Sequence, residues 1–89
     1  LPATFALKQN YPNPFNPSTT IQFSLSRSEF VTLRVFNILG VEIAELLSEG
    51  LSLGTHQREW DARDLSSGIY FYRLQAGAFT ETKKLVLLR

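Results

Sequence analysis

The chain contains no cysteine and no methionine, and only one tryptophan and one histidine. Without cysteine there is no disulfide framework, no thiolate nucleophile and no cysteine-ligated zinc or iron–sulfur centre, so packing alone must hold the core. No apolar run approaches the ~20 residues of a membrane helix, and no charged-then-apolar leader opens the segment. Any export signal is expected upstream of it. Charge is nearly balanced, with nine basic and eight acidic residues and a net charge of +1. There is no basic run of the size that phosphate backbones attract, so a nucleic-acid partner is not expected.

Catalytic signatures are equally sparse. No glycine-rich loop precedes a helix, and no Gly-x-Ser-x-Gly elbow is present. The lone His56 lies in an alternating stretch and reads as a structural residue. Glu59, Asp61 and Asp64 group oxygen ligands near a turn but lack the spaced Asp/Asn-Gly pattern of a calcium loop, so turn capping is the preferred reading. Asn16-Pro17-Ser18 is no glycosylation acceptor because proline fills its middle position. No catalytic residue, cofactor site or metal site is assigned, and the domain is expected not to be an enzyme.

What the chain does have is proline in one place and period-two alternation nearly everywhere else. Three of its four prolines fall within Tyr11-Pro12-Asn13-Pro14-Phe15-Asn16-Pro17. Each fixes φ, removes a donor and pushes the residue before it toward extended geometry, giving a stiff, non-helical stretch. A Pro-x-x-Pro ligand is disfavoured, since Pro14 to Pro17 runs into a strand and has no basic anchor beside it. Eighty-nine residues at 44% hydrophobic suffice for one small two-layer domain.

Ile21, Phe23 and Leu25 alternate with Thr20, Gln22 and Ser24, and Val31, Leu33 and Val35 with Thr32, Arg34 and Phe36, giving two half-buried strands. Asn37-Ile38-Leu39-Gly40 reads as a hairpin turn, because glycine accepts a positive φ. The return strand carries Val41 and Ile43, then Leu46 and Leu47, and the phase change after Ala44 predicts a bulge. Residues 48 to 54 read as a loop between Gly50 and Gly54. His56, Arg58 and Trp60 then alternate with Gln57 and Glu59. A turn-rich crossing leads to Ile69–Leu74, where Tyr70, Tyr72 and Leu74 share a face, and Gln75 to Ala78 forms a short connection. The last strand runs from Phe79 to Leu88, and its Leu85-Val86-Leu87-Leu88 run, apolar on both faces, predicts a covered strand.

With a weaker strand near Phe5 to Lys8, this pattern favours an all-β antiparallel sandwich of immunoglobulin or fibronectin type III character, with about seven strands. Trp60, Tyr72, Phe23, Leu33 and Val35 are the expected core. The Tyr70 hydroxyl is expected to bond backbone in the preceding turn, as in a tyrosine corner. Tyr11, Phe15 and Phe71 are candidate aromatic contacts of a binding module.

Four ordered blocks carry a resemblance. Gln9-Asn10-Tyr11-Pro12-Asn13-Pro14-Phe15-Asn16-Pro17-Ser18-Thr19-Thr20-Ile21, then Val35-Phe36-Asn37-Ile38-Leu39-Gly40, then Trp60-Asp61-Ala62, then Ser67-Gly68-Ile69-Tyr70-Phe71-Tyr72-Arg73-Leu74, followed by a terminal Lys83–Arg89, are similar to the type A C-terminal sorting domain of the type IX (Por) secretion system. Arg58 stands where an apolar residue would suit the inward face, and Val41 where that family often has a charge.

The resemblance implies a non-catalytic immunoglobulin-like domain at the end of an exported precursor, with residues 1–4 as the remnant of a linker to upstream cargo and residues 5–89 as the sorting domain. It implies passage through the periplasm, recognition by the outer-membrane translocon, then removal by a sortase-like peptidase that anchors the cargo at the cell surface. Lys83, Lys84, Leu85, Val86, Leu87, Leu88 and Arg89 are the candidate signal, with one strand edge open for addition to a receptor sheet. Tyr11, Pro12, Asn13, Pro14, Phe15, Asn16, Pro17, Gly40, Trp60, Asp61, Gly68, Tyr70 and Tyr72 are its structural motif. The alternative is a structural adaptor or ligand-binding module, similar to a flagellar hook-cap immunoglobulin-like domain or a carbohydrate-binding domain.

Overall fold

Period-two alternation becomes strand wherever one face can be buried, and the computed structural model, which describes residues 4–89, has seven of them. They are β1 (Ala6–Leu7), β2 (Ser18–Leu25), β3 (Glu29–Phe36), β4 (Glu42–Leu51), β5 (Gly54–Asp61), β6 (Gly68–Ala76) and β7 (Phe79–Leu87). The expected linker remnant falls on Leu1, Pro2 and Ala3, outside the described residues, and on Thr4. One sheet has the order β1-β2-β5 and the other β4-β3-β6-β7, with every pairing antiparallel. The chain changes sheet after β2, β4 and β5. This is an immunoglobulin-like sandwich.

The inward residues of both sheets make one core. Ile21, Phe23 and Leu25 from β2 meet Val31, Leu33 and Val35 from β3, Tyr72 and Leu74 from β6, and Leu85 and Leu87 from β7. Trp60, on β5, contacts Tyr70 edge-on with ring centroids 6.2 Å apart. The Tyr70 hydroxyl donates to the Ser66 carbonyl at 2.7 Å, which pins the β5–β6 crossing as the tyrosine-corner spacing predicts.

The β3–β4 hairpin forms where Asn37 and Gly40 placed it. Gly40 has φ 83° and donates to the Asn37 carbonyl, while Asn37 Oδ1 accepts from the Leu39 and Val41 amides. The register slips twice: Leu33 faces Leu47 but Arg34 faces Glu45, and Val35 faces Ala44 but Phe36 faces Glu42. Leu46 and Ile43 are the extra residues, so the expected bulge is present and has a companion.

Two expectations fail. Residues 48 to 54 are not a loop: β4 continues to Leu51, and only Ser52 and Leu53 separate it from β5. β4 is an edge strand, where Ser48, Glu49 and Gly50 face solvent while pairing with Thr32, Val31 and Phe30, so their polarity did not signal a turn. The Leu85 to Leu88 run is not covered on both faces. Leu85 and Leu87 are buried, whereas Val86 is half-buried and Leu88 exposed. The stretch obeys strict alternation with apolar residues on its solvent side as well. Arg58, at its inward-facing position, reaches the open side of the sandwich, where its Nη2 lies 3.5 Å from Glu49 on β4.

Candidate functional site

The terminal block lies on β7, an edge strand, and the fold divides its seven residues among different tasks. Leu85 and Leu87 belong to the core. Lys83 pairs with Glu81 at 3.3 Å, while Lys84 projects from the opposite face, so the two lysines do not act as a doublet. Arg89 turns back onto the β5–β6 crossing: its amide donates to Ser67 Oγ at 2.9 Å, and its guanidinium donates to the carbonyls of Ala62, Arg63 and Leu65. Lys84, Val86 and Leu88 are what the block presents outward.

Its edge is not open over that stretch. Antiparallel pairing with β6 leaves alternate backbone groups of β7 pointing away, and the proline segment satisfies them. The Lys84 carbonyl accepts from Gln9 Nε2 at 2.7 Å, and the Val86 amide donates to Asn13 Oδ1 at 3.0 Å. The Val86 carbonyl accepts from the Phe15 amide at 2.9 Å, and the Leu88 amide donates to the Phe15 carbonyl at 3.0 Å. Phe15 is thus a one-residue parallel bridge beside Leu87. The expected free edge at the end of the chain is corrected to a clipped one. Among the described residues, the first half of β7, around Thr80 and Thr82, has no neighbouring strand on that side.

The clip is anchored by what it buries. The Phe15 side chain is 2% exposed and lies against Trp60, with centroids 5.8 Å apart. Asn10, equally buried, donates through Nδ2 to Thr19 Oγ1 at 2.9 Å and to the Pro12 carbonyl at 3.2 Å. Thr19 Oγ1 donates to the same carbonyl at 2.8 Å. The Asn10 amide donates to the Tyr72 hydroxyl at 2.8 Å, which itself donates to the Lys8 carbonyl at 2.7 Å. Burial is the main reason the Tyr72 phenol is pushed up to about 12, against the opposing effect of the Asn10 bond. Tyr11 pairs with Thr20 through both backbone groups at 3.0 Å, and the Pro17 carbonyl accepts from Ala62. Proline suits this segment because its other side has no ladder to feed. Among the described residues, no buried side-chain nitrogen or oxygen lacks a partner.

The three candidate aromatic contacts do not meet on one surface. Phe15 is core, Tyr11 pairs onto β2, and Phe71 stands on the outer face of the four-stranded sheet. His56 stacks on Phe23 and lies 2.7 Å from the Ser52 carbonyl through Nε2, a packing role. Asp61 accepts from the Arg63 backbone and side chain, and that pairing, led by the side-chain bond, holds its carboxyl below the usual range. No group of three or more metal-binding side chains occurs among the described residues, and no helix there is long and apolar enough to cross a membrane.

The sequence does not reveal Gln9, Asn10, Asn13 and Thr19 as clip-makers, although Asn13 stands in the expected structural motif. Thr19 carried a legible signal, since it shares parity with Ile21 and Phe23 and so must face inward. Nothing local marks Asn13, whose partner is 73 positions away.

The fold and the clip define an immunoglobulin-like sandwich module fastened by its own N-terminal segment. Residues 9–88 match the secretion system C-terminal sorting domain family, and the chain belongs to that family. Its members are sorting tags for type IX secretion, which takes proteins to the cell surface or beyond. No curated protein matches the chain. Among solved structures it is similar to PorZ, described as an essential bacterial surface component of the type-IX secretion system of Porphyromonas gingivalis. The TM-score is 0.63 at 20% identity, which speaks to the fold. The likeness covers 94% of this chain but 12% of PorZ.

Proposed function

We propose that residues 5–89 act as a folded address for an upstream cargo domain, carrying it from the periplasm through the type IX translocon. A sortase-like peptidase then removes the address and the cargo stays at the cell surface. The observation that carries this reading is the clip: two of the blocks that carry the resemblance, Gln9–Ile21 and Lys83–Arg89, are distant in sequence and bonded in space. An address built this way exists only in the folded domain. Strand addition at Val86–Leu88 would first have to displace Phe15, at about 3–5 kcal/mol for the loss of a buried phenylalanine. Recognition of the intact surface avoids that cost.

The test appends residues 1–89 to a soluble reporter in a host with this secretion system. Export of the reporter with loss of the domain from the mature product is expected. Retention in the periplasm would overturn the reading, and export unchanged after deleting Lys83–Arg89 would remove the terminal block from it.

A further inference from the structure

The outer faces of the two sheets are chemically unlike. Across β2 and β5 the outward pairs are Ser18 with Asp61, Thr20 with Glu59, Gln22 with Gln57 and Ser24 with Thr55, all polar. The four-stranded sheet is mixed at one end, where Phe30 stands beside the paired Thr32 and Gln75, and apolar at the other. There Phe36 faces Phe71 across the β3–β6 ladder, Phe71 faces Lys84, and Ile69 faces Val86. Ile38, 70% exposed at the hairpin tip, completes an open hollow of about 240 Å³ with Phe36, Phe71 and Arg73.

Exposed apolar side chains scattered singly need no explanation, but a contiguous concave group does. The Arg73 guanidinium lies 4.5 Å from the Phe36 ring centroid, held against the hollow by a cation–π contact. Among the described residues neither Arg73 nor Lys84 takes part in an ion pair, whereas Arg34, which faces Arg73 across the β3–β6 ladder, is neutralised by Glu42 and Glu45. Arg73 at the rim and Lys84, the ladder partner of Phe71, are therefore two uncompensated cations beside an apolar floor.

We propose that this end of the β4-β3-β6-β7 face docks a protein partner that inserts an apolar side chain into the hollow and sets a carboxylate against Arg73 and Lys84. The proposal rests on the sorting reading and names its contact surface. A second copy of the chain stacked face to face fits poorly, because the carboxylates this face could offer Arg73 and Lys84, those of Glu42 and Glu45, are already paired with Arg34. An anionic bilayer fits poorly too, since the carboxylates of Glu42 and Glu45 stand part-exposed on the same face and hold Arg34.

Reporter fusions to residues 1–89 test it, with Ile38→Ser, Phe71→Ser and Arg73→Glu on this face and Gln22→Lys and Gln57→Lys on the polar sheet. Ile38→Ser is the arm that cannot fail by unfolding, because the side chain is mostly in solvent. The expected result is a surface-exported fraction lowered at least about tenfold by the first three and unchanged by the last two, with thermal midpoints preserved. Normal export of Ile38→Ser and Arg73→Glu beside an exported wild type overturns the docking face and leaves the sorting reading standing. A wild-type fusion that stays in the periplasm overturns the sorting reading, and the docking face falls with it. Arg73-dependent sedimentation of the isolated chain with phosphatidylglycerol vesicles, or an Arg73-dependent dimer in sedimentation velocity, reassigns the face to lipid or to self-association and likewise overturns the proposal.

Discussion

The two edges of the four-stranded sheet are guarded by different means. An exposed edge offers unpaired backbone groups to any passing strand, and natural proteins blunt it. At β4 the protection is local: bulges at Ile43 and Leu46 break the ladder, and Glu42, Glu45 and Glu49 line it with charge. At β7 the protection comes from far away in sequence, with Gln9, Asn13 and Phe15 closing the last three outward positions. A local guard depends only on its own strand. A remote guard lasts only while the domain is folded, which makes the β7 edge an indicator of folding state.

The sharpest way to break this contrast is to remove the anchor of the remote guard. Phe15→Ala should cost about 3–5 kcal/mol in denaturant unfolding, and amide exchange at Val86 and Leu88 should accelerate more than elsewhere on β7. Should the cost be under about 1 kcal/mol, the clip is an ornament on an independently stable sandwich.

Asn10→Ala leaves the Thr19 hydroxyl and the Pro12 carbonyl short of a buried partner and should cost about 2 kcal/mol, read as a lower thermal midpoint. Alkali probes the same network through Tyr72. Its folded pKa is raised to about 12 from 10.0, so the unfolded chain loses this proton first as pH rises. Stability is intact below pH 10 and should fall between pH 10 and 12, and Tyr72→Phe should flatten that limb of the pH–stability profile. The smallest effects separate the two edges directly. Asn13→Ala should cost about 1 kcal/mol by orphaning the Val86 amide, whereas Glu45→Ala, which breaks an exposed pair with Arg34, should cost less than about 0.5 kcal/mol in the same assay.

How much of this was legible without coordinates follows the same division between local and remote. Alternation in Ile21-Gln22-Phe23 and Val31-Thr32-Leu33 named the inward faces correctly, and the Leu46-Leu47 phase change announced a bulge, because side-chain parity is a local property of a strand. The Tyr70 bond to Ser66 was legible too, its partner lying four residues back. Polarity misled at Ser48–Gly50, where an edge strand looks like a loop, and at Leu85–Leu88, where solvent-side apolar residues look like cover.

The chain by itself determined that the protein is a cysteine-free β-sandwich of sorting-domain type, since composition, period and the four ordered blocks depend only on residue order. Tertiary structure alone decided that the proline segment and the terminal strand are one assembly, that Lys83 and Lys84 part company, and that one end of the four-stranded face gathers apolar side chains while the outer face of the other sheet is polar. Hydrogen bonds such as Asn13 to Val86 join residues 73 positions apart. Pairing at that distance is selected by the geometry of the whole core, which no local pattern encodes.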